Sequence, residues 1–353
     1  LNRLPSLDVF RGLTVAFMIL VNNPGSGDFV YPPLRHADWH GWTPTDLVFP
    51  FFLWIVGVSM TLSFDRRLQQ GADRMVLWRH ALRRGALIFL IGFLLNLIPK
   101  FDWEHVRIMG VLQRIGLCYI LGATVYLFTG PRGQLATTVS LLAGYWVLMT
   151  LAPVPGFGPG VLEKEGNFAQ FIDQKILGGH MWAQSRTWDP EGILSTFPAT
   201  ANVLLGALAV HILRTGSLRD LAVFGFAVAM AGKIWGIWFP INKPLWTSSY
   251  ALFTSGLAAL AYAGIRWLVD VQGIRRPFQP FEILGMNALI AFVGSGVVAR
   301  ILWTTGAHRW LWDHVYTAIA SPVNASLLFA LSLVLLFMLI SRWMWSRKIF
   351  VKL

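Results

Sequence analysis

Asn22 to Ser59 reads NNPGSGDFVYPPLRHADWHGWTPTDLVFPFFLWIVGVS. The stretch crowds Asn22, Asn23, Asp28, Arg35, His36, Asp38, Trp39, His40 and Asp46 into one loop. A hydrophobic run stands on either side, so the loop is delivered to a membrane face. A plain connector between two helices has no use for two histidines, three aspartates and a tryptophan. Polar groups held at membrane depth are costly and usually serve a site. A neutral imidazole is also the side chain best matched to proton transfer near pH 7. The stretch therefore predicts a membrane-embedded fold and marks where its chemistry sits. The plainer reading is an extracytoplasmic linker whose polar residues are incidental.

Composition agrees with the membrane reading. Of 353 residues, 55% are hydrophobic and 13% charged, against about a quarter charged in ordinary soluble domains, and mean hydropathy is +0.57. The formal charge of +12 would suggest nucleic acid in a soluble protein. Here the cations sit in short segments between apolar runs, where they set topology, and no basic stripe for a polynucleotide is present. The single cysteine, Cys118, lies inside an apolar run, so no disulfide framework or cysteine-based metal site is available within one chain. No metal is expected.

Apolar runs recur at about 9–21, 46–64, 81–98, 108–128, 135–151, 193–213, 218–238, 246–269, 283–303 and 325–343. Most are long enough to cross a hydrocarbon core of about 30 Å at about 1.5 Å per helical residue. An open strand edge has no water to satisfy it there, so the expected fold is all-α: an integral membrane bundle of about ten transmembrane helices. The run at 9–21 lacks a small-residue cleavage site after it and is expected to be a retained first span.

Lys and Arg should accumulate in cytoplasmic segments. With the N-terminus inside, those segments carry Arg3, Arg11, Arg66, Arg67, Arg74, Arg79, Arg83, Arg84, Arg132, Arg214, Arg219, Arg266, Arg275, Arg276, Arg342, Arg347, Lys348 and Lys352. Both termini are then cytoplasmic and His36 is extracytoplasmic. Nothing inside the chain reads as a domain boundary, so residues 1–353 are expected to form one transmembrane domain. The cluster PVPGFGPG, Pro153 to Gly160, opens an extracytoplasmic excursion at about 152–192, long by ordinary loop lengths and suited to a lid or cap. No internal repeat is evident, which weakens a secondary transporter. A polytopic transporter of a small sugar or related solute, without acyl transfer, is nevertheless the alternative function.

Six segments together carry a resemblance: SLDVFRGLTVAFMILVNNPG, HADWHGWTPTDLVFPFFLWIVGVS, RIMGVLQRIGLCY, DPEGILSTFPA, NKPLWTSSY and GMNAL at Gly285 to Leu289. Distributed in order over nearly the whole chain, they resemble the heparan-alpha-glucosaminide N-acetyltransferase family and its bacterial relatives. The resemblance implies a multi-pass enzyme, here of a bacterial inner membrane, and a homodimer among the membrane lipids. It implies transfer of an acetyl group from cytoplasmic acetyl-CoA to the amine of a glucosamine-type sugar on the far side. His36, in HADWHG, matches the family's active-site histidine. The opening SLDVFRG is also similar, more distantly, to the entry motif of the acyltransferase-3 membrane families. Those place a histidine near the far end of the first helix, spaced from an arginine that matches Arg11; here Asn22 holds that place.

Acetyl transfer to an amine needs a base, a donor for the thioester oxyanion and a passage for a long anionic cosubstrate. His36 is suited to the first role, as general base or transient acetyl carrier. His40 is its nearest rival. Asn22 offers an amide NH2 for the oxyanion, and Asp46 can orient the imidazole or hold the acceptor amine. Gln113 and Arg114 fall inside the fourth apolar run, where an arginine usually faces a bundle interior or cavity. They are candidates for the cosubstrate, or for a structural ion pair such as Arg114 with Asp46, with Arg107 on a similar face. The CoA phosphates call for cations on the inner side: Arg11, Arg83, Arg84, Arg275 and Arg276 are candidates, and topology-setting is their plainer role. Asn287, an amide in an apolar helix, is a candidate for the pantetheine amides. Toward the sugar, Asp189, Glu191, Asn242 and Lys243 are candidate polar contacts beside His40, with Trp39 and Trp246 as stacking platforms.

Overall fold

The computed structural model describes residues 4–98 and 101–351. Arg3 and Lys352, two of the topology-setting cations, lie outside the described residues. Helices dominate: α1 (Pro5–Asn22), α2 (Val48–Gln69), α3 (Arg74–Leu97), α4 (Val111–Phe128), α5 (Pro131–Leu151), α6 (Phe168–Leu177), α7 (Thr196–Thr215), α8 (Leu218–Trp235), α9 (Ser248–Arg266), α10 (Gln279–Met286), α11 (Ala288–Thr304), α12 (Ala307–Leu311), α13 (Thr317–Ile319) and α14 (Pro322–Ser346). Their starts follow local chemistry. Pro5 stands in the first turn of α1, where its missing N–H costs nothing. The Asp73 carboxylate caps α3 by accepting from Met75 and Val76 N–H, and Ser217 with Asp220 forms a capping box on α8.

Eight of the described helices are long and apolar enough to cross a membrane. α10 with α11, bent by 75° at Asn287, passes the same test only as a pair, as a broken span or a re-entrant loop. The seventh apolar run, 218–238, forms α8, which falls outside that set and carries Arg219, Asp220 and Lys233 near its two ends. The fold is thus the expected all-α membrane bundle, with the bend as its main departure from a row of straight spans. Asn287 accounts for the bend's surroundings. Its Nδ2 donates to Ile349 O at 3.1 Å and its Oδ1 accepts from Val351 N–H at 3.1 Å, so its amide clamps the chain's C-terminal segment where helical bonding breaks.

The centre of the bundle is α7, buried at Thr196 and continuously from Pro198 to Val210, and packed against α2, α4, α5 and α9. Lipid tails are as apolar as leucine, so close packing of small residues has to supply much of the attraction between helices. At the α2–α7 crossing a Cβ on Gly57 would stand 1.9 Å from Val203 O, and one on Gly206 2.2 Å from Trp54 O. The α1–α10 crossing repeats the device with Gly12 and Gly285, each against the partner's backbone. These glycines let backbones touch.

Gly57→Ala is therefore expected to drive α2 off α7, at the roughly 1–3 kcal/mol or more typical of overpacking. Gly144→Ala, on α5 where nothing lies within 4 Å of the added carbon, should leave stability unchanged or slightly higher. Thermal melts in detergent check this: equal midpoints for the two variants would reject the crossing as the constraint.

Candidate active site

Asp46 is where the polar loop closes on itself. Thr43 and Asp46 form a capping box at the turn Pro44–Leu47 that leads into α2. Asp46 Oδ2 accepts from Thr43 N–H at 3.0 Å, from the Thr43 hydroxyl at 3.2 Å and from Ala37 N–H at 3.0 Å. Its other oxygen, Oδ1, lies 2.6 Å from His36 Nδ1. The Asp46 backbone carbonyl accepts from the Tyr250 hydroxyl at 2.5 Å, tying the turn to α9. Asp46 is 1% exposed and the His36 side chain 50%. A buried carboxylate thus holds a half-exposed imidazole by one nitrogen and turns the other outward. With Nδ1–H donated to Asp46, Nε2 carries the free lone pair.

Lys243, in the segment before α9, completes the cluster. Its Nζ lies 3.0 Å from His36 Nδ1, 3.4 Å from Nε2 and 3.5 Å from Asp46 Oδ1. Burial pushes the ammonium below the ordinary lysine range, while Asp46 and Glu191 work to keep it charged. The expected sugar contact is therefore a neighbour of the imidazole, a pairing across 207 residues of chain.

The other expected sugar contacts are mostly built into the scaffold. Trp39 is buried; its indole donates to Leu162 O at 2.8 Å and its ring meets Trp188 edge-on, so it joins the His36 loop to the 152–192 excursion. Trp246 is fully buried, donates to Asn202 Oδ1 at 2.9 Å and lies under the Arg114 guanidinium at 4.9 Å. Neither face is open for stacking on a sugar. Asn242, also fully buried, donates to Trp39 O and accepts from Leu245 N–H. Asp189 and Glu191 both bind Arg107, with Arg107 Nε to Asp189 Oδ2 at 2.8 Å. Burial opposes the charge on Arg107, but Glu191 and Asp189 hold it above its ordinary pKa. His40 stays partly exposed, 3.3 Å from Asn242 Nδ2 and 3.8 Å from Glu163.

Arg114 sits in the first turn of α4, which begins only at Val111, so Arg107 precedes the helix and shares no helical face with it. Its Nη2 donates to Gly192 O at 3.1 Å and to the Ser195 hydroxyl, and not to Asp46. Nε and Nη1 have no hydrogen-bond partner among the described residues. Arg114 and Gln113 thus stand at the His36 end of the bundle, with the buried Gln113 carbonyl near Gly92 of α3.

Asn22 ends α1, is exposed, and makes no hydrogen bond to the His36 cluster among the described residues. At the other end, Arg11 is held by Asp8 at 3.0 Å, Gly285 O at 3.3 Å and Ser59 at 2.7 Å. Arg83, Arg84, Arg275 and Arg276 are exposed, with Arg84 stacked on Tyr119. Sequence reasoning missed Tyr250, Ser195 and Asp173 around the site. Only the Thr43-x-x-Asp46 spacing, a capping-box signature, was there to be read.

Asp173 of α6 is buried, accepts from Ile193 N–H at 2.9 Å and is pushed up to about 7, by burial first and then by Asp189, against the pull of Ile193 N–H and Arg114. A carboxyl raised above its usual 3.8 binds a proton in the folded state that the unfolded chain releases. Its contribution is thus most favourable below about pH 4 and is lost as pH rises toward 7. Asp173→Asn, whose amide oxygen can keep the Ile193 bond, is expected to melt higher than the parent at pH 8, with the gap closing by pH 4. A gap independent of pH would reject the assignment.

Residues 3–234 match the family described as heparan-alpha-glucosaminide N-acetyltransferase, catalytic. The chain is 30% identical over 355 residues to the Homo sapiens protein named heparan-alpha-glucosaminide N-acetyltransferase, an alignment covering 84% of this chain and 53% of that protein. The Mus musculus protein of the same name is 30% identical over 356 residues, covering 84% and 54%. The chain spans about half the length of the curated relatives it matches. The family match takes in the whole His36 loop and more than half of the chain, so this multi-pass membrane protein belongs to the heparan-alpha-glucosaminide N-acetyltransferase catalytic family.

Proposed function

We propose that the protein is a transmembrane acetyltransferase that moves an acetyl group from cytoplasmic acetyl-CoA to the amine of a glucosamine-type sugar on the opposite face. The observation that carries the reading is the His36 Nδ1 contact with Asp46 at 2.6 Å, made at an exposed edge of a loop that lies within the family match. Asp46 fixes the Nδ1–H tautomer and leaves Nε2 to take the proton that an attacking amine must shed. The same nitrogen is the one that would carry acetyl if transfer passes through histidine. His40 and Glu163, both reachable from solvent, form the rim that an acceptor sugar meets. Arg11, with Arg83, Arg84, Arg275 and Arg276, stays on the CoA side of the proposal, and a homodimer in a bacterial inner membrane is its setting.

The orientation follows from the cation bias. With Cys118 replaced by Ser, an impermeant maleimide added to intact cells should label Lys164→Cys and spare Arg67→Cys and Arg275→Cys. Labelling of position 67 from outside rejects it.

Chemistry and cosubstrate binding should separate. His36→Ala is expected to lower acetylation of glucosamine by about 10²- to 10⁴-fold, the usual cost of a lost general base. The rise in melting temperature produced by acetyl-CoA should persist in that variant, since the ligand stabilises by mass action at phosphate contacts far from His36. His40→Ala should lose far less. A dead His40 variant beside an active His36 variant would transfer the role to His40, and no acetyl-CoA shift in folded protein would favour the transporter alternative.

A further inference from the structure

The two ring nitrogens of His36 flank Cε1, and Lys243 Nζ lies 3.0 and 3.4 Å from them. A nitrogen that close to both cannot lie in the ring plane without overlapping a ring carbon. The ammonium therefore stands over the imidazole face. That placement leaves the in-plane direction at Nδ1 to Asp46 and the in-plane lone pair at Nε2 open. An ammonium has three N–H donors. Asp46 Oδ1, at 3.5 Å, engages one of them. Among the described residues its other neighbours are His36 Nδ1 and Nε2, at 3.0 and 3.4 Å, and its side chain is 18% exposed. The partly exposed ammonium thus stands 3.4 Å from Nε2, beside the point where an acceptor amine must sit to pass its proton to that nitrogen.

We infer that Lys243 is a catalytic residue that stabilises the oxyanion of the thioester during acetyl transfer, the role the sequence had suggested for Asn22. The inference rests on the acetyltransferase reading above. In the step, the acceptor nitrogen forms a bond to the thioester carbonyl carbon, and the carbonyl π pair moves onto oxygen, where the Lys243 ammonium receives the charge. The amine proton passes to His36 Nε2. Collapse restores the C=O bond and breaks the C–S bond, and the departing CoA thiolate takes the proton from His36. Lysine, imidazole and Asp46 end as they began. A preorganised charge at the developing oxyanion acts on the transition state more than on bound substrate, so its loss falls on kcat.

The test uses full-length protein in detergent, with acetyl-CoA and glucosamine as probes. Lys243→Met is expected to lower kcat by about 10²- to 10³-fold with KM for acetyl-CoA and its thermal shift unchanged. Lys243→Arg should recover part of the rate and move the alkaline limb of the kcat–pH profile upward, because a guanidinium does not deprotonate there. If Lys243→Met fails to fold, the alkaline limb of Lys243→Arg decides alone: an unmoved limb overturns the role. So does a Lys243→Met enzyme within about threefold of the parent, or a loss that appears in Asn22→Ala and not in Lys243→Met. These results count against Lys243 when the parent acetylates glucosamine and His36→Ala does not; a folded parent that shows neither acetylation nor an acetyl-CoA thermal shift instead overturns the underlying acetyltransferase reading.

Discussion

The site depends on one buried carboxylate. Asp46 takes two backbone N–H groups, a hydroxyl, an imidazole N–H and an ammonium into a single cluster. Left unpaired in so dry a place, an ionised carboxylate would be prohibitively costly. Paired in this way it is both the cap of the turn entering α2 and the orienter of His36. The same residue thus links secondary structure to chemistry, since the geometry of the turn sets where the imidazole stands. Tyr250 extends the link to α9 by donating to the Asp46 carbonyl, so the segment carrying Lys243 and the loop carrying His36 are referenced to one point.

Around that cluster, charge is used for construction. Arg107 is clamped by Asp189 and Glu191, and Asp173 receives Ile193 N–H from the same stretch. These contacts join the segment before α4 to the segment before α7. Trp39 then ties the His36 loop to the 152–192 excursion through Leu162 and Trp188. Breaking one member of such a buried ionic group leaves its partners uncompensated, which costs more than the intact pair contributes. The polar end of the bundle is therefore a rigid frame with His36, Lys243 and His40 at its accessible edge.

Beneath the frame, packing is governed by small residues. Glycines at the α2–α7 and α1–α10 crossings bring backbones into contact, and α2 is the helix that the Asp46 turn initiates. A shift of α2 against α7 would move Asp46 with it. At the α10–α11 bend, Asn287 satisfies its amide on the C-terminal segment and Arg11 reaches Gly285 O nearby. Polar groups at that end are likewise spent on holding backbone in place.

Much of this was legible in the residues. Hydropathy runs long enough to span a bilayer dictate helices, because hydrocarbon leaves no other partner for backbone N–H and C=O, and the ten runs each returned as helix. The His36 loop announced itself by polar residues at a cost no connector would bear, and the ten-residue spacing of His36 and Asp46 fits one loop closing on its own cap. The stacking platforms were misread for a physical reason. Tryptophan is equally at home on a sugar, in a membrane interface and in a core, and its neighbours decide which. Trp39 and Trp246 are core because Leu162, Trp188, Asn202 and Arg114 arrive from elsewhere in the chain. The bend at Asn287 was hidden because an apolar run looks the same whether its helix is straight or broken. Lys243 over His36 spans 207 residues, and no local pattern encodes such a meeting. The sequence alone determined helices, membrane and the loop that matters. Which polar side chains face one another was decided by tertiary structure, because a side chain's partners are set by how helices cross and periodicity carries no record of that.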